Sequence, residues 1–156
     1  MKGSEKVLKQ LNARLADELA AINQYIVHSE MCANWGYEKF HKLVEKRAVD
    51  EMKHAEKLIG RILFLEGQPT VSRLSPIRIG KDVPEQLQND CAAEVSAIKD
   101  YNADIRLAAE LGDNGTVELF KSLLKDEEDH LDWIETQLTQ IEQLGLQNYL
   151  AEQTKS

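Results

Sequence analysis

Apolar positions along the chain recur at alternating spacings of three and four residues, which is typical of amphipathic helices with one buried face. The first stretch predicts a long helix that begins at the N-cap Ser4 and ends near Gly36. A second stretch begins near Phe40 and stops at Gly67 and Pro69. Because the loop between them is short, we expect these two helices to be antiparallel neighbours.

The segment 67–81 has no helical period, and we interpret it as a connection of about fifteen residues, long enough to cross a helix bundle. A third helix is predicted from Asp82, which forms a capping-box-like start with Glu85, to a break at Gly112, Asn114 and Gly115. The fourth shows heptad spacing that includes the apolar positions Val117, Phe120, Leu124, Leu131, Ile134 and Leu138. Gly145 ends it, and 146–151 predicts a short fifth helix.

Two short loops and one long crossover predict an all-α four-helix bundle, with the whole chain, 1–156, as a single domain. An internal repeat strengthens this interpretation. Shifting the first helix pair forward by 76 residues (94 − 18) places Glu18 on Glu94 and His54 on His130. We therefore expect a pseudo-two-fold bundle whose functional groups lie on the axis between the halves.

Each of the four apolar stripes contains one carboxylate at a core position: Glu18, Glu51, Glu94 and Glu127. Burying an unpaired carboxylate costs several kcal/mol or forces it to bind a proton, so four at one level require positive charge nearby. The stripes hold no lysine there, and the helical neighbours at i+3 are His54 and His130.

Four glutamates and two neutral histidines carry a charge that two divalent ions would balance, and such mixed ligands suit iron or manganese better than copper or structural zinc. A single Glu-x-x-His would usually be a solvated charge pattern. Two copies in register with two partner glutamates make that interpretation much weaker. The remaining histidines, His28 and His41, are predicted to be surface or interface residues, and among Asp126–Asp129 only Glu127 is expected to face the core.

Composition narrows the possible partners. The formal net charge of −8 and the isoelectric point near 5.0 argue against nucleic acid and favour cations. No apolar run reaches the ~18–20 residues that cross a membrane, and no signal segment begins the chain, so a cytoplasmic protein is expected. Cys32 and Cys91 are too isolated to indicate a disulfide framework or a zinc site.

The six polar core residues match the di-iron carboxylate bundles, and the chain resembles the bacterioferritin family over essentially its whole length. The resemblance rests on the stretches Met1–Gly3, Asn23–Tyr25, Asp50–Ala55, Arg61–Gly67, Asp126–His130 and Gly145–Leu150. It implies a ferritin-like fold and a hollow homo-oligomeric shell of 24 copies built from dimers. Each subunit would be a ferroxidase that oxidises Fe(II) with oxygen or hydrogen peroxide at two iron ions and stores the Fe(III) mineral.

The resemblance also implies roles for individual residues. Tyr25 and Trp133 match residues near such centres and could lend electrons, although packing explains both aromatics equally well. Asp50 matches a ligand on the inner surface of the shell. The chain departs from better-known members at Val44–Arg47, where they carry Glu-Tyr-His-Glu, so Lys46 stands where a histidine helps bind iron on the inner wall.

Met52 points away from the bundle axis by about 130° on a helical wheel, toward an outward apolar-edged stripe of Leu19, Asn23 and Ile26. Spacing alone favours ordinary packing of Met52 in a subunit interface. The resemblance instead implies a haem, or a related iron porphyrin, shared between two subunits with Met52 from each as axial ligand. It also implies an electron donor such as a ferredoxin for iron release.

Two other functions compete with storage. A rubrerythrin-like peroxidase or an oxygenase would share the bundle, but two unpaired cysteines cannot build the four-cysteine module that a rubrerythrin usually adds. From a different class, the chain could be a haem-binding electron-transfer or structural shell component with a vestigial iron site. The complete set of six ligands argues against that alternative.

Overall fold

A computed structural model describes all residues, Met1–Ser156. It contains helices only, which confirms the all-α prediction: α1 (Glu5–Asn34), α2 (Glu38–Phe64), α3 (Val83–Glu110), α4 (Asn114–Leu144) and α5 (Leu146–Gln153). None of them combines the length and apolar character needed to cross a membrane.

Polar side chains cap the N-termini of three helices. The Ser4 side chain accepts from the backbone N–H of Lys6, and Asp82 accepts from that of Glu85 at 2.9 Å, as expected. Asp113 does the same for Thr116 at the start of α4. Because Asp113 supplies this cap, Asn114 and Gly115 lie in the first turn of α4, and the expectation that they interrupt the helical pattern is wrong for these two residues.

Glycines with positive φ follow α1, α3 and α4, at Gly36, Gly112 and Gly145. Gly36, at φ 84°, turns the chain between α1 and α2, and Gly145, at φ 80°, separates α4 from α5. A side chain would be strained at both positions, so these glycines permit the abrupt changes of direction.

The bundle consists of two closely packed pairs, α1 with α2 and α3 with α4. The pairs meet mainly where α1 contacts α3 and α2 contacts α4, and α5 packs on α4 and α2. The connection between α2 and α3 joins the two halves of the repeat, so the crossover predicted for this position is present.

Side chains of α1 attach the crossover to the bundle. Thr70 donates its backbone N–H to Asn12, Arg78 donates to Gln24 at 3.0 Å, and Gly80 donates to His28 Nε2 at 3.0 Å. His28 is fully buried, with Nδ1 3.0 Å from Asp90, so its prediction as a surface or interface residue is wrong. The long connection buries it by crossing directly over it.

Two apolar cores fill the bundle, one at each end. One centres on Leu11, Leu58 and Phe120, and the other includes Tyr25 and Phe40. Along every long helix the predicted polar core residues fall between the two. A polar layer therefore lies between the two apolar cores, which fill the two ends of the bundle.

The buried face of α4 keeps heptad spacing but lies beside the apolar stripe that the sequence predicts. Leu123 is fully buried, whereas Leu124, Leu131 and Leu138 are only partly buried, and Gln137 is buried with its side-chain oxygen accepting from Tyr149 at 2.6 Å. Buried positions repeat at alternating spacings of four and three, so α4 is rotated to one side of the predicted apolar stripe along its whole length: Thr116, Phe120, Leu123, Glu127, His130, Ile134 and Gln137.

Candidate metal centre

The polar layer brings together the six residues singled out in the sequence. All are at most 4% exposed, and they come from four helices: Glu18, Glu51, His54, Glu94, Glu127 and His130. They form two groups, each with its ligand atoms within 4.8 Å of one another. Glu51 and Glu127 belong to both groups, which gives the layer two adjoining positions.

The two positions have matching geometry. His54 Nδ1 lies 3.0 Å from Glu127 Oε1 and 3.3 Å from Glu51 Oε2. His130 Nδ1 lies 3.0 Å from Glu51 Oε1 and 3.4 Å from Glu127 Oε2. The different oxygens of Glu51 and Glu127 thus face different histidines, while Glu18 lies on the His54 side and Glu94 on the His130 side. This arrangement suits two metal ions bridged by two carboxylates.

Polar atoms without a partner point to the same conclusion. Seven of the ten buried side-chain nitrogen and oxygen atoms that lack a hydrogen bond belong to this layer, including both oxygens of Glu51 and Nδ1 of both histidines. Leaving such atoms unsatisfied costs ~1–3 kcal/mol each, and more when they are charged. Carboxylate oxygens and imidazole nitrogens that converge in this way are the ligands that a cation requires, so the residues present fit two metal ions.

Burial and mutual repulsion alter the acidity of the layer. Burial, followed by the charges of Glu51 and Glu18, raises the pKa of Glu127 to about 8. Burial also raises the pKa of Glu51 and of Glu94 well above the ordinary value. The protein without metal therefore retains protons among these carboxylates at neutral pH.

The pKa values of Glu18 and His54 shift so that the charged form of each residue is favoured. Burial acts to raise the pKa of Glu18, but its close approach to Glu51 and His54 and the Tyr101 hydrogen bond outweigh burial and lower that pKa. Burial acts to lower the pKa of His54, yet the nearby carboxylates of Glu127 and Glu18 raise it to about 11. Bound protons thus neutralise part of the negative charge that metal ions would otherwise balance.

Two buried tyrosines hold the outer carboxylates. Tyr25 donates its hydroxyl to Glu94 Oε1 at 2.5 Å, and Tyr101 donates to Glu18 Oε1 at 2.6 Å. These tyrosines correspond under the 76-residue shift, so the pseudo-two-fold axis relates their hydrogen bonds as well. The 76-residue repeat contains the signal for Tyr101, because it places this residue opposite Tyr25.

Two further carboxylates, Asp126 and Asp50, lie on the far side of the histidine rings. His54 Nε2 lies 2.9 Å from Asp126 Oδ2, and His130 Nε2 lies 3.6 Å from Asp50 Oδ2. Asp126 was expected to belong to a solvated face; its side chain is 45% exposed, but it bends inward onto the imidazole. A carboxylate behind a histidine orients the ring and favours Nδ1 as the metal ligand.

Cavities approach the layer from two sides. One, of about 310 Å³, lies between α1, α3 and the crossover, has Asp17, Ser75 and Arg78 along its edge, and reaches all four glutamates. The other, of about 300 Å³, lies between α2 and α4 and reaches both histidines. Its lining is entirely polar and includes Lys46, Asp50 and Asp126.

The remaining predicted residues lie away from the layer. Met52 is 45% exposed on the outer side of α2, where Val49 and Ile26 are exposed as well. Trp133 packs against Phe40, with the Arg47 guanidinium over its ring. Cys32 and Cys91 are both free thiols.

Comparison with known proteins gives consistent relatives. A profile of the ferritin-like domain family matches residues 8–144. The chain is 44% identical over 149 residues to a bacterioferritin of Rhodobacter capsulatus, covering 96% of this chain and 92% of that protein. It is 45% identical over 154 residues to a bacterial ferritin of Synechocystis sp., covering 98% and 99%, and 38% identical over 152 residues to a bacterioferritin of Mycobacterium tuberculosis, covering 97% and 96%.

Proposed function

This chain belongs to the bacterioferritin family of ferritin-like proteins, and from that premise we propose that it is an iron-storage subunit with ferroxidase activity. Fe(II) binds at the six-residue layer, loses an electron to oxygen or hydrogen peroxide, and is stored as Fe(III) mineral. Storage takes place inside a closed shell of 24 copies. Within this proposal iron is the substrate, and the layer is the oxidising centre.

The observation that carries the proposal is the pairing of Glu51 and Glu127 with both histidines. Each carboxylate directs one oxygen toward each position, so two ions would share both bridges. A site with two metals can deliver two electrons to one oxidant. Oxygen-rich ligands favour the harder, more highly charged Fe(III), which makes oxidation easier.

Metal loading should release protons, and the two cavities provide paths for iron. Metal binding displaces the protons retained by Glu51, Glu94 and Glu127, so loading the centre releases acid. The cavity between α1 and α3 is the route for Fe(II), because it leads past Asp17 to the glutamates and the apolar part of its lining is small alanine side chains. The cavity between α2 and α4 connects the histidines with the stored mineral.

A haem shared by two subunits is the second part of the proposal. The exposed side chains of Met52, Val49 and Ile26 form an apolar strip on the outside of α1 and α2 that fits a flat apolar group or a partner subunit. Met52 from each subunit would supply an axial sulfur. When bound, the haem supplies one-electron transfer, which fits the need to reduce Fe(III) before release, with a ferredoxin as electron donor.

The inner surface is expected to differ from that of better-known members. Asp50 lies beside His130 and remains the proposed inner-surface ligand. Lys46, however, lines the same cavity, and its positive charge repels a cation next to Asp50. Iron binding at the inner wall is therefore proposed to be weaker than at the oxidising centre.

The test is aerobic addition of Fe(II) to the metal-free protein, with optical detection of Fe(III) and native mass measurement in parallel. The proposal expects fast oxidation, many iron ions per subunit, and a particle of 24 chains. Fast oxidation by a monomer or dimer without iron accumulation would instead favour a small di-iron enzyme. A large shell with no oxidation above the protein-free rate would favour the vestigial alternative.

A further inference from the structure

Outside the polar layer, one other group of side chains brings an imidazole and two carboxylates together: Glu30, His41 and Glu45. Glu30 lies near the end of α1, and His41 and Glu45 lie in the first turns of α2. One ligand atom from each falls within 4.8 Å of the others. The group lies on the surface, ~18 Å along α1 from Glu18 by helical rise.

The backbone determines which nitrogen of His41 is free. Nδ1 lies 2.9 Å from both the carbonyl oxygen and the hydroxyl of Ser29; the carbonyl can only accept, so Nδ1 carries the hydrogen, and the hydroxyl donates to the His41 carbonyl at 3.5 Å. In the neutral ring, Nε2 is then an unprotonated acceptor. An imidazole oriented by a backbone carbonyl through one nitrogen is the usual arrangement of a metal-binding histidine.

The free nitrogen faces negative charge. Nε2 lies 3.8 Å from Glu45 Oε2, too far for a hydrogen bond, and Glu30 completes the group. With Nε2 unprotonated, its lone pair and the two carboxylates together offer three ligand atoms to a cation. Ligands of one ion with bonds of ~2.1 Å are separated by roughly 3–3.6 Å, so a small closure of flexible glutamates suffices.

We propose that Glu30, His41 and Glu45 form a mononuclear site for a first-row divalent transition-metal ion such as Fe(II) or Zn(II). One imidazole and two carboxylates suit these ions better than Mg²⁺ or Ca²⁺, which prefer oxygen alone. Three protein ligands leave open positions for water, so the ion exchanges readily. It also links α1 to α2 beside the Gly36 turn. The site is independent of the oxidising centre.

The experiment locates the ion directly. Crystals of the assembled protein are soaked in ZnCl₂, a redox-inert probe, and anomalous diffraction is measured above the zinc absorption edge. We expect a peak at about 2.0–2.2 Å from His41 Nε2 and from carboxylate oxygens of both glutamates. Absence of that peak while the six-residue layer carries zinc would overturn this proposal alone. Zinc here and not in the layer would support it and count against the oxidising centre.

Binding in solution provides the second measurement. Equilibrium dialysis against zinc should show one ion fewer per subunit for Glu45→Gln than for the parent at the same free zinc concentration. Glu45 is 57% exposed, so the variant should fold, and Glu56→Gln, which removes another exposed carboxylate of α2, is the matched control. Equal stoichiometry in Glu45→Gln and the parent would mean that a proton on His41 alone balances the carboxylates, and the metal site would be refuted.

Discussion

Each glutamate of the polar layer has a role set by its neighbours. Glu51 and Glu127 contact both histidines, whereas Glu94 contacts one histidine and accepts a hydrogen bond from Tyr25. Without metal, retained protons reduce the repulsion that burial would otherwise make prohibitive. Removing one carboxylate would therefore remove a proposed metal ligand and reduce repulsion in the metal-free layer at the same time.

Glu94→Gln separates these two effects. The amide keeps the volume and can still accept from Tyr25, but it cannot neutralise an ion, so we expect the rate of fast Fe(II) oxidation to fall by at least about tenfold. The metal-free variant should unfold at the same temperature as the parent or higher, because the amide is neutral without binding a proton and adds no repulsion to the layer. Glu56→Gln, an exposed change on α2, is the control. Oxidation at the parent rate in Glu94→Gln would contradict the assigned centre.

Asp126→Asn tests the carboxylate behind His54. The amide cannot polarise the ring as a carboxylate does, and substitutions of this kind typically weaken metal binding by about 10–100-fold. We expect that loss in metal affinity, measured by competition with a chelator, with little change in the unfolding temperature. Glu128→Gln, an exposed neighbour on α4, should leave affinity unchanged. Equal affinities for Asp126→Asn and the parent would show that the contact is only structural.

At the residue scale, the six side chains of the layer could be predicted because each interrupts an apolar stripe, and the repeat aligns them. Asp126 could not, since a helical wheel places it toward solvent and only the rotation of α4 against α2 brings it to His54. His28 was missed for a related reason: nothing in α1 indicates which segment passes over it.

At the element scale, the two halves of the bundle are joined by a charged contact between α1 and α3. Arg14 lies 3.3 Å from Asp104, 3.1 Å from Asp17 and 3.4 Å from Asp100. Ser75 of the crossover also donates to Asp17. One guanidinium thus faces three carboxylates, and the least exposed of them, Asp104, is not fully compensated.

This contact predicts a pH dependence of stability. Burial raises the pKa of Asp104 to about 6, although Arg14 acts to lower it. The native state then binds a proton more tightly than the unfolded chain between about pH 4 and 6, so Asp104 contributes a loss of stability as pH rises through that window. The loss is ~1–3 kcal/mol. Asp104→Asn should remove it.

Calorimetry at pH 4 and pH 6.5 measures the effect. The unfolding temperature of Asp104→Asn relative to the parent should be higher at pH 6.5 than at pH 4. Glu110→Gln, an exposed change at the end of α3, should show no such difference. A constant offset between Asp104→Asn and the parent at both pH values would show that the buried carboxyl does not titrate in this window.

Element order and boundaries were predictable because caps and glycines give local signals. It was harder to predict which residues the crossover packs against and which face of α4 is buried. Whether Leu123 or Leu124 is buried depends on how α4 is rotated about its axis against the other helices, which a heptad count does not determine. Local chemistry determines where helices begin, while long-range contacts determine how they are rotated.

At the scale of the whole molecule, the exposed apolar strip of Met52, Val49 and Ile26 has no partner within the subunit. The two internal cores account for the fold, so this strip contributes nothing to it and is available for association. A strip that faces its own copy across a two-fold axis would place two Met52 sulfurs opposite each other.

Haem reconstitution tests this arrangement. If two thioethers hold the iron, the assembled protein should take up one haem per two subunits and give a low-spin spectrum, because both axial positions are filled. Met52→Leu keeps the apolar volume and the association but removes both sulfurs, so we expect haem to bind more weakly and to lose that spectrum. Met31→Leu, which removes a partly buried methionine elsewhere on α1, is the control. The same low-spin spectrum in Met52→Leu would exclude Met52 as the ligand, whereas unchanged assembly without haem uptake in the parent would mean that the strip serves subunit packing alone.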